Sequence, residues 1–331
     1  MIEPIPAAQL DPAALRGRRV AVLGFGSQGR SQALNLRDSD IDVAVGLRTG
    51  SASRAACEEL GLPVETPETL ARACDVFVML VPDEAQPALY EGVLAPALRP
   101  GAALLFAHGY SIHYGTLRPR TDLDVLMVAP LGIGEQVRRQ YTLGRGVPGL
   151  IAVHQDATGG ARALALAYAV ANGHARAAVF ETTFQAETET DLFAEQAVLC
   201  GGLTELITAA FETLVAAGYP DELAYFCCLH EVKLIADLVH SRGIAGMRRS
   251  ISSTAAFGDA TRGPRVIGAA SRAAMRELLA EIRDGRFAAE LGAEMAAGAP
   301  TIEDARRRAE AHPVETVGAR LRRHMPWLEE G

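Results

Sequence analysis

Asp191 and Glu195 stand four residues apart in T-E-T-D-L-F-A-E, and Cys227 and Glu231 repeat that spacing in F-C-C-L-H-E. On a helix, positions i and i+4 share a face one turn apart, so each pair aims two side chains at one point. Three of the four groups are carboxylates, the hard oxygen donors that Mg²⁺ takes. Cys227 is a soft donor in that otherwise hard set. His108, in F-A-H-G-Y, follows a predicted strand directly, where doubly wound sheets open their ligand crevice. Its position, taken with the acidic helices, marks it as catalytic rather than packing. Leu192, Phe193 and Val198 imply that one side of the Asp191 helix is buried. Carboxylates at the edge of such a face need a partner, and a divalent cation is a good one. The competing possibility is a solvated acidic face, with Glu187, Glu189, Asp191 and Glu195 all turned to water. His230, beside Glu231, reads as packing.

A second chemical signal lies near the start, in R-R-V-A-V-L-G-F-G-S-Q-G-R. Gly24, Gly26 and Gly29 fall between a predicted strand and a predicted helix, the setting of a dinucleotide-binding turn. The first glycine permits the turn, the second admits the pyrophosphate, and the third lets helix and strand approach. An NAD site expects a carboxylate at the tip of the following strand. Here that tip reads V-A-V-G-L-R-T-G-S-A-S and offers Arg48, Ser51 and Ser53 instead, a cation and two hydroxyls suited to a 2′-phosphate. NADPH is therefore favoured over NADH.

The elements that must position these groups fall into two blocks. Predicted strands Arg19–Gly24, Asp42–Leu47, Val76–Val81, Ala102–Ala107, Val125–Ala129, Gly149–Val153 and Ala177–Glu181 alternate with helical stretches. That alternation predicts a parallel sheet covered on both faces, an α/β Rossmann domain over residues 1–182. Beyond Thr183 the strand signals stop. Helices are predicted over Phe193–Ala217, Glu222–Ser241, Ala269–Asp284 and Ile302–Glu310, giving an all-helical domain over 183–328. Pro130 and Gly132, in M-V-A-P-L-G-I-G-E after the fifth of these strands, are expected to shape the same rim as His108.

The totals fit such a protein. At 331 residues the chain suits two domains, and 49% hydrophobic with 22% charged residues is ordinary for a globular protein. A formal charge of −8 argues against a general nucleic-acid or anionic-membrane binder. Uninterrupted apolar runs are shorter than the roughly 20 residues of a membrane span, and no secretory leader is read. The five cysteines form no C-x-x-C pair, so a cytoplasmic setting is expected. Lys233 is the only lysine and sits in an apolar helix, which sets Schiff-base chemistry aside.

Ordered motifs running nearly the whole chain resemble those of short, class I ketol-acid reductoisomerases. They are G-F-G-S-Q-G, G-L-R-T-G-S, P-D-E-A-Q, F-A-H-G-Y-S-I-H-Y, T-E-T-D-L-F-A-E-Q-A-V-L-C-G-G, S-I-S-S-T-A and G-P-R-V-I-G. The resemblance implies a Rossmann domain followed by a knotted, all-helical domain, and homodimers whose active sites draw helices from both subunits. It implies NADPH, two Mg²⁺, and alkyl migration followed by reduction of a 2-aceto-2-hydroxy acid in valine and isoleucine synthesis. By matching motif it places Ser27, Gln28, Asp83 and Gln86 at the cofactor and His108 at the reacting centre. Asp191 and Glu195 are implied as metal ligands, Glu231 as a metal ligand or substrate contact supplied across the dimer, and Cys200, Ile251, Ser252 and Ala255 as substrate contacts.

The chain departs from that pattern in a cluster. Leu131 stands where the family has lysine, Glu135 where it has histidine, and Ser253 and Ala256 where it has asparagine and glutamate. Cys227 replaces a metal-associated glutamate and so remains at the substrate site as a thiol. A thiol is mostly neutral at pH 7, so the second metal is expected to bind weakly. Hydride transfer asks less of a pocket than rearrangement does. The expectation is a reductase of altered substrate, a small keto or imine acid. Its alternatives are a working ketol-acid reductoisomerase and a non-catalytic nucleotide-binding homologue.

Overall fold

The computed structural model describes residues 2–328. Two compact units divide within a helix, the first ending at Thr190 and the second beginning at Asp191.

The first unit is built on one eight-stranded sheet. Its strands are β1 (Val20–Leu23), β2 (Val43–Gly46), β3 (Val64–Glu65), β4 (Val76–Met79), β5 (Ala103–Phe106), β6 (Asp124–Pro130), β7 (Gly149–Gln155) and β8 (Val179–Glu181). Their order is β3-β2-β1-β4-β5-β6-β7-β8. Adjacent residues in β1 serve opposite cores: Val20 and Val22 join one cluster, Ala21 and Leu23 the other. In β4, Val76 and Val78 divide from Phe77 and Met79 in the same way. A strand buried on both faces reads as a continuous apolar run, which is why these strands were legible in the sequence.

The predicted parallel sheet holds with one exception: β7 pairs antiparallel with β6, with Pro130 opposite Gly149. The link between them carries only the nine-residue helix Gly134–Thr142. That helix packs on Ser27–Asp38, the helix after β1, instead of crossing back over the sheet. The chain therefore re-enters at the end it had just left, which is antiparallel pairing. The two-residue β3 was not anticipated either, being too short to show a period.

In the second unit the helices are Gly201–Ala216, Asp221–Tyr225, Glu231–Ser250, Ser253–Val266, Ala269–Arg283, Arg286–Ala296, Pro300–Ala311 and Pro313–Arg322. Pro300 and Pro313 begin their helices, where the missing N–H costs nothing. Gly243, at φ 68°, interrupts the helical backbone inside Glu231–Ser250. One small core joins Phe211, Ala224, Tyr225, Val314 and Val317.

Two turns in this unit are π-helical, Glu195–Leu199 and Phe226–His230, each continuing an α-helix at both ends. Much apolar surface is left uncovered, including Leu199, Leu206, Leu234, Ile235 and Phe257. Val198, expected to be buried, is 53% exposed. Leu192, on the same helix, is 7% exposed, so among the described residues the face that sequence periodicity marks as internal is covered only in part. The expectation on membrane spans is also corrected. The continuous helix Phe184–Ala216, at 33 residues, is long and apolar enough to cross a membrane. Length and composition alone are weak evidence for a span, because a helix whose apolar face is covered by protein passes the same test.

Candidate functional site

The first unit gathers its predicted groups at the C-terminal ends of neighbouring parallel strands. Gly24 follows β1 with φ 106°, and a Cβ there would meet the Leu80 carbonyl oxygen at 2.5 Å. A Cβ on Gly29 would lie 2.3 Å from the Gly24 carbonyl oxygen, so only glycine lets the helix start this close to the strand. Gly26, by contrast, faces open space, as a turn that admits a phosphate requires. Ser27 opens the helix, and Gln28 donates from Nε2 to the Gly132 carbonyl at 3.0 Å. The glycine turn is thereby tied to the loop after β6. These features fit a dinucleotide.

The loop after β2 holds Arg48, Ser51 and Ser53 together. Ser51 N–H donates to the Arg48 carbonyl at 3.1 Å, and Ser53 N–H to Ser51 Oγ at 3.4 Å. Arg48 is exposed and makes no ion pair among the described residues. After β4, Gln86 is buried and donates from Nε2 to Asp83 Oδ1 at 2.9 Å and to the Val81 carbonyl at 3.2 Å. Burial raises the Asp83 carboxyl above its ordinary value.

His108 lies two residues past the end of β5. Its Nδ1 is 2.9 Å from Glu187 Oε1, while Glu187 Oε2 accepts the Gly109 N–H at 2.8 Å. Glu187 is only 5% exposed. A carboxylate accepts and does not donate, so Nδ1 carries the ring proton in this pair and the exchangeable acid–base function resides on Nε2. Gly109 is glycine because a Cβ would come within 2.4 Å of Thr188 Oγ1 and 2.8 Å of the Phe184 carbonyl oxygen. The motif A-H-G thus lets the strand end press against the helix carrying Glu187. A second pair lies alongside, His113 Nε2 to Glu189 Oε1 at 3.7 Å. Tyr114 packs at 4.6 Å from the His113 ring, and burial pushes its phenol up to about 12.

Glu187 is the residue that sequence reasoning missed. It has no role there, being named only among the four acidic residues of the competing solvated face, whereas it is the buried anchor of the histidine. Its spacing from Asp191, one helical turn, was the available signal.

Asp191 lies in the helix Phe184–Ala194, and Glu195 begins the π-helical turn that follows. Glu187, Asp191 and Glu195 therefore recur every four residues along one helix, which stacks three carboxylates on adjoining turns. Cys200 ends that turn and is exposed. Cys227, also exposed, belongs to the second π-helical turn, and Glu231 opens the α-helix after it. Ile251 and Ser252 form the junction before the helix Ser253–Val266, where Ser252 Oγ accepts the Ala255 N–H at 3.2 Å. The donor set suits a divalent cation on the Asp191 helix. The Cys227 helix supplies one carboxylate, Glu231, and a thiol in the other position, a poorer match to a hard ion.

Comparison with known proteins agrees with both halves. Residues 14–178 match the model for the NADPH-binding domain of acetohydroxy acid isomeroreductase. Residues 184–327 match that for the C-terminal domain of ketol-acid reductoisomerase. Among solved structures, an NADH-preferring ketol-acid reductoisomerase from an uncultured archean superposes with a TM-score of 0.94 at 43% identity, covering 98% of each chain. More distant likenesses concern the fold alone. A semialdehyde dehydrogenase NAD-binding protein from Cupriavidus necator gives 0.59 at 22% identity, over 81% of this chain and 99% of the other. A 1-pyrroline-5-carboxylate reductase from Streptococcus pyogenes gives 0.52 at 16%, over 81% and 98%. With both of its domains matched in order and a near-complete superposition, the chain belongs to the ketol-acid reductoisomerase family of oxidoreductases.

Proposed function

We propose that the protein is an NADPH-dependent reductase of a small 2-keto or imine acid, in which the alkyl-migration step is weakened. The observation that carries this is the thiol of Cys227 four residues before Glu231, with Leu131 in place of the family's lysine. When bound, NADPH would supply the hydride, and a divalent cation would polarise the carbonyl.

The chain's own groups account for the rest. Gly24, Gly26 and Gly29 shape the turn for the pyrophosphate, and Arg48 with Ser51 and Ser53 offers a cation and hydroxyls for a 2′-phosphate. His108, with Nδ1 fixed by Glu187, holds or delivers a proton at Nε2. Asp191 and Glu195 would hold one cation, and Glu231 with Cys227 would hold a second only weakly. A pair of hard sites is what clamping both oxygens of a ketol demands, whereas reduction needs one polarised carbonyl.

A second reading, a working ketol-acid reductoisomerase, is favoured by the 43% identity to the archean enzyme over nearly its full length. That enzyme's preference for NADH also makes the cofactor choice a matter for measurement. In either case the uncovered apolar helices of the second unit support a homodimer, testable by light scattering.

NADPH oxidation with 2-acetolactate and with 3-hydroxy-3-methyl-2-oxobutyrate, each with and without Mg²⁺, separates the readings. Turnover of only the second compound supports a surviving reductase. Comparable turnover of both supports the complete reaction and overturns the proposal.

A further inference from the structure

The loop after β6, Leu131–Gly134, is fixed in place by its backbone. Leu131 N–H donates to the Pro148 carbonyl at 2.9 Å, and the Gly132 carbonyl accepts from Gln28 at 3.0 Å. Gly134 packs so tightly on Ser27 that a Cβ would lie 2.4 Å from its backbone. The loop is therefore held to the glycine turn, and its side chains have little freedom to move away. Two of them are large and apolar, Leu131 at 52% and Ile133 at 65% exposure. Strand β6 pairs in parallel with β5, Phe106 opposite Met127, so Leu131 and His108 leave neighbouring strand ends. From Pro130 to Glu135 the segment carries no cation, and Glu135 ends it with a negative charge.

We infer that Leu131 and Ile133 are specificity-determining residues that select substrates with an extended apolar substituent. The argument is one of exclusion by charge and gain by burial. An anionic substrate head is repelled from a rim ending in Glu135, so the carboxylate end of the acid lies elsewhere. An alkyl end placed against Leu131 and Ile133 removes apolar surface from water on both partners. This deepens the reductase reading and rests on it for turnover.

The experiment uses the NADPH-loaded full-length protein with Mg²⁺ and the series 2-oxobutyrate, 2-oxopentanoate and 2-oxohexanoate. Expected is a rise in kcat/KM of about fourfold per added methylene, the factor that burying one CH₂ gives. In Leu131→Ala and Ile133→Ala the rise should shrink to less than twofold, with NADPH affinity unchanged. A flat series in the wild type, or an unchanged slope in both variants, overturns the inference. If none of the acids turns over, the reductase reading itself has failed. The rim is then judged by binding of butyrate, pentanoate and hexanoate, followed by quenching of bound NADPH fluorescence. The same fourfold increments sustain it, and equal affinities refute it. A change of oligomeric state in either alanine variant would make the rim a subunit contact and also overturn it.

Discussion

Replacing Glu187 by glutamine keeps the side chain's shape and removes its charge, which isolates what the carboxylate does for His108. The native carboxylate accepts two bonds at 2.9 and 2.8 Å while almost fully buried. A glutamine has one acceptor oxygen and one donor nitrogen, so it cannot satisfy both partners. If its oxygen stays on Gly109 N–H, the NH₂ meets His108 Nδ1 and forces the ring proton to Nε2. If its oxygen turns to His108, two N–H donors face each other at Gly109. A bond to a charged group contributes about 1.5–3 kcal/mol, corresponding to a loss of roughly 10- to 150-fold. We expect kcat in the reductase assay to fall by a factor in that range while NADPH affinity changes less than threefold. The ¹⁵N shifts of His108 should report Nδ1 as the protonated nitrogen in the wild type and lose that signature in Glu187→Gln. Wild-type kcat together with an unchanged tautomer would show that Glu187 has no hold on the histidine.

Four further outcomes follow from the same structure. His174 is buried, with Nδ1 2.7 Å from the Val147 carbonyl and, among the described residues, no partner on Nε2, and burial lowers its pKa. Between the unfolded value near 6.5 and the lower folded one, the unfolded chain binds the extra proton. Stability should thus fall with falling pH by up to about 1.4 kcal/mol per unit. Urea unfolding at pH 7.5, 6.5 and 5.5 should show that slope reduced in His174→Gln, and parallel curves would exclude the ring as its source. Cys227→Glu combined with Leu131→Lys should raise 2-acetolactate turnover at least about tenfold and tighten Mg²⁺ binding, since a hard ligand is restored; no gain would mean other positions suppress the rearrangement. Arg48→Ala should weaken NADPH about tenfold and leave NADH within twofold, as expected for loss of a 2′-phosphate contact; equal losses for the two cofactors would count against that role. Gly109→Ala should lower stability by about 1–3 kcal/mol, because its Cβ meets a backbone carbonyl that has little room to yield, and wild-type thermal unfolding would contradict the packing described.

How far the sequence discloses this molecule depends on what each signal needs. Strands such as Val76–Met79 were legible because burial on both faces writes one unbroken apolar run. The antiparallel β7 was not, since strand direction is set by how the short helix Gly134–Thr142 docks, a tertiary matter. Helices Ser253–Val266 and Arg286–Ala296 escaped notice because interspersed glycine and charge blur their period. In the candidate site, the glycine turn and His108 were readable from type and context. Glu187 was left without a role because composition cannot tell which of several acidic residues on a helix faces inward. Val198 failed for the opposite reason: an apolar residue looks internal whether its cover comes from its own chain or elsewhere.

The π-helical turns at Glu195–Leu199 and Phe226–His230 constrain how this scaffold can be recombined. Each is what a helix becomes when it absorbs one surplus residue without breaking. Deleting one residue inside such a turn would heal the ladder and leave the downstream helix in phase, whereas deleting one from the regular α segments would rotate everything downstream by about 100° about the helix axis. Grafts between relatives should therefore carry the whole of Phe184–Ala216 as one cassette, for a seam that dropped or doubled a residue of those α segments would put the two sides out of phase.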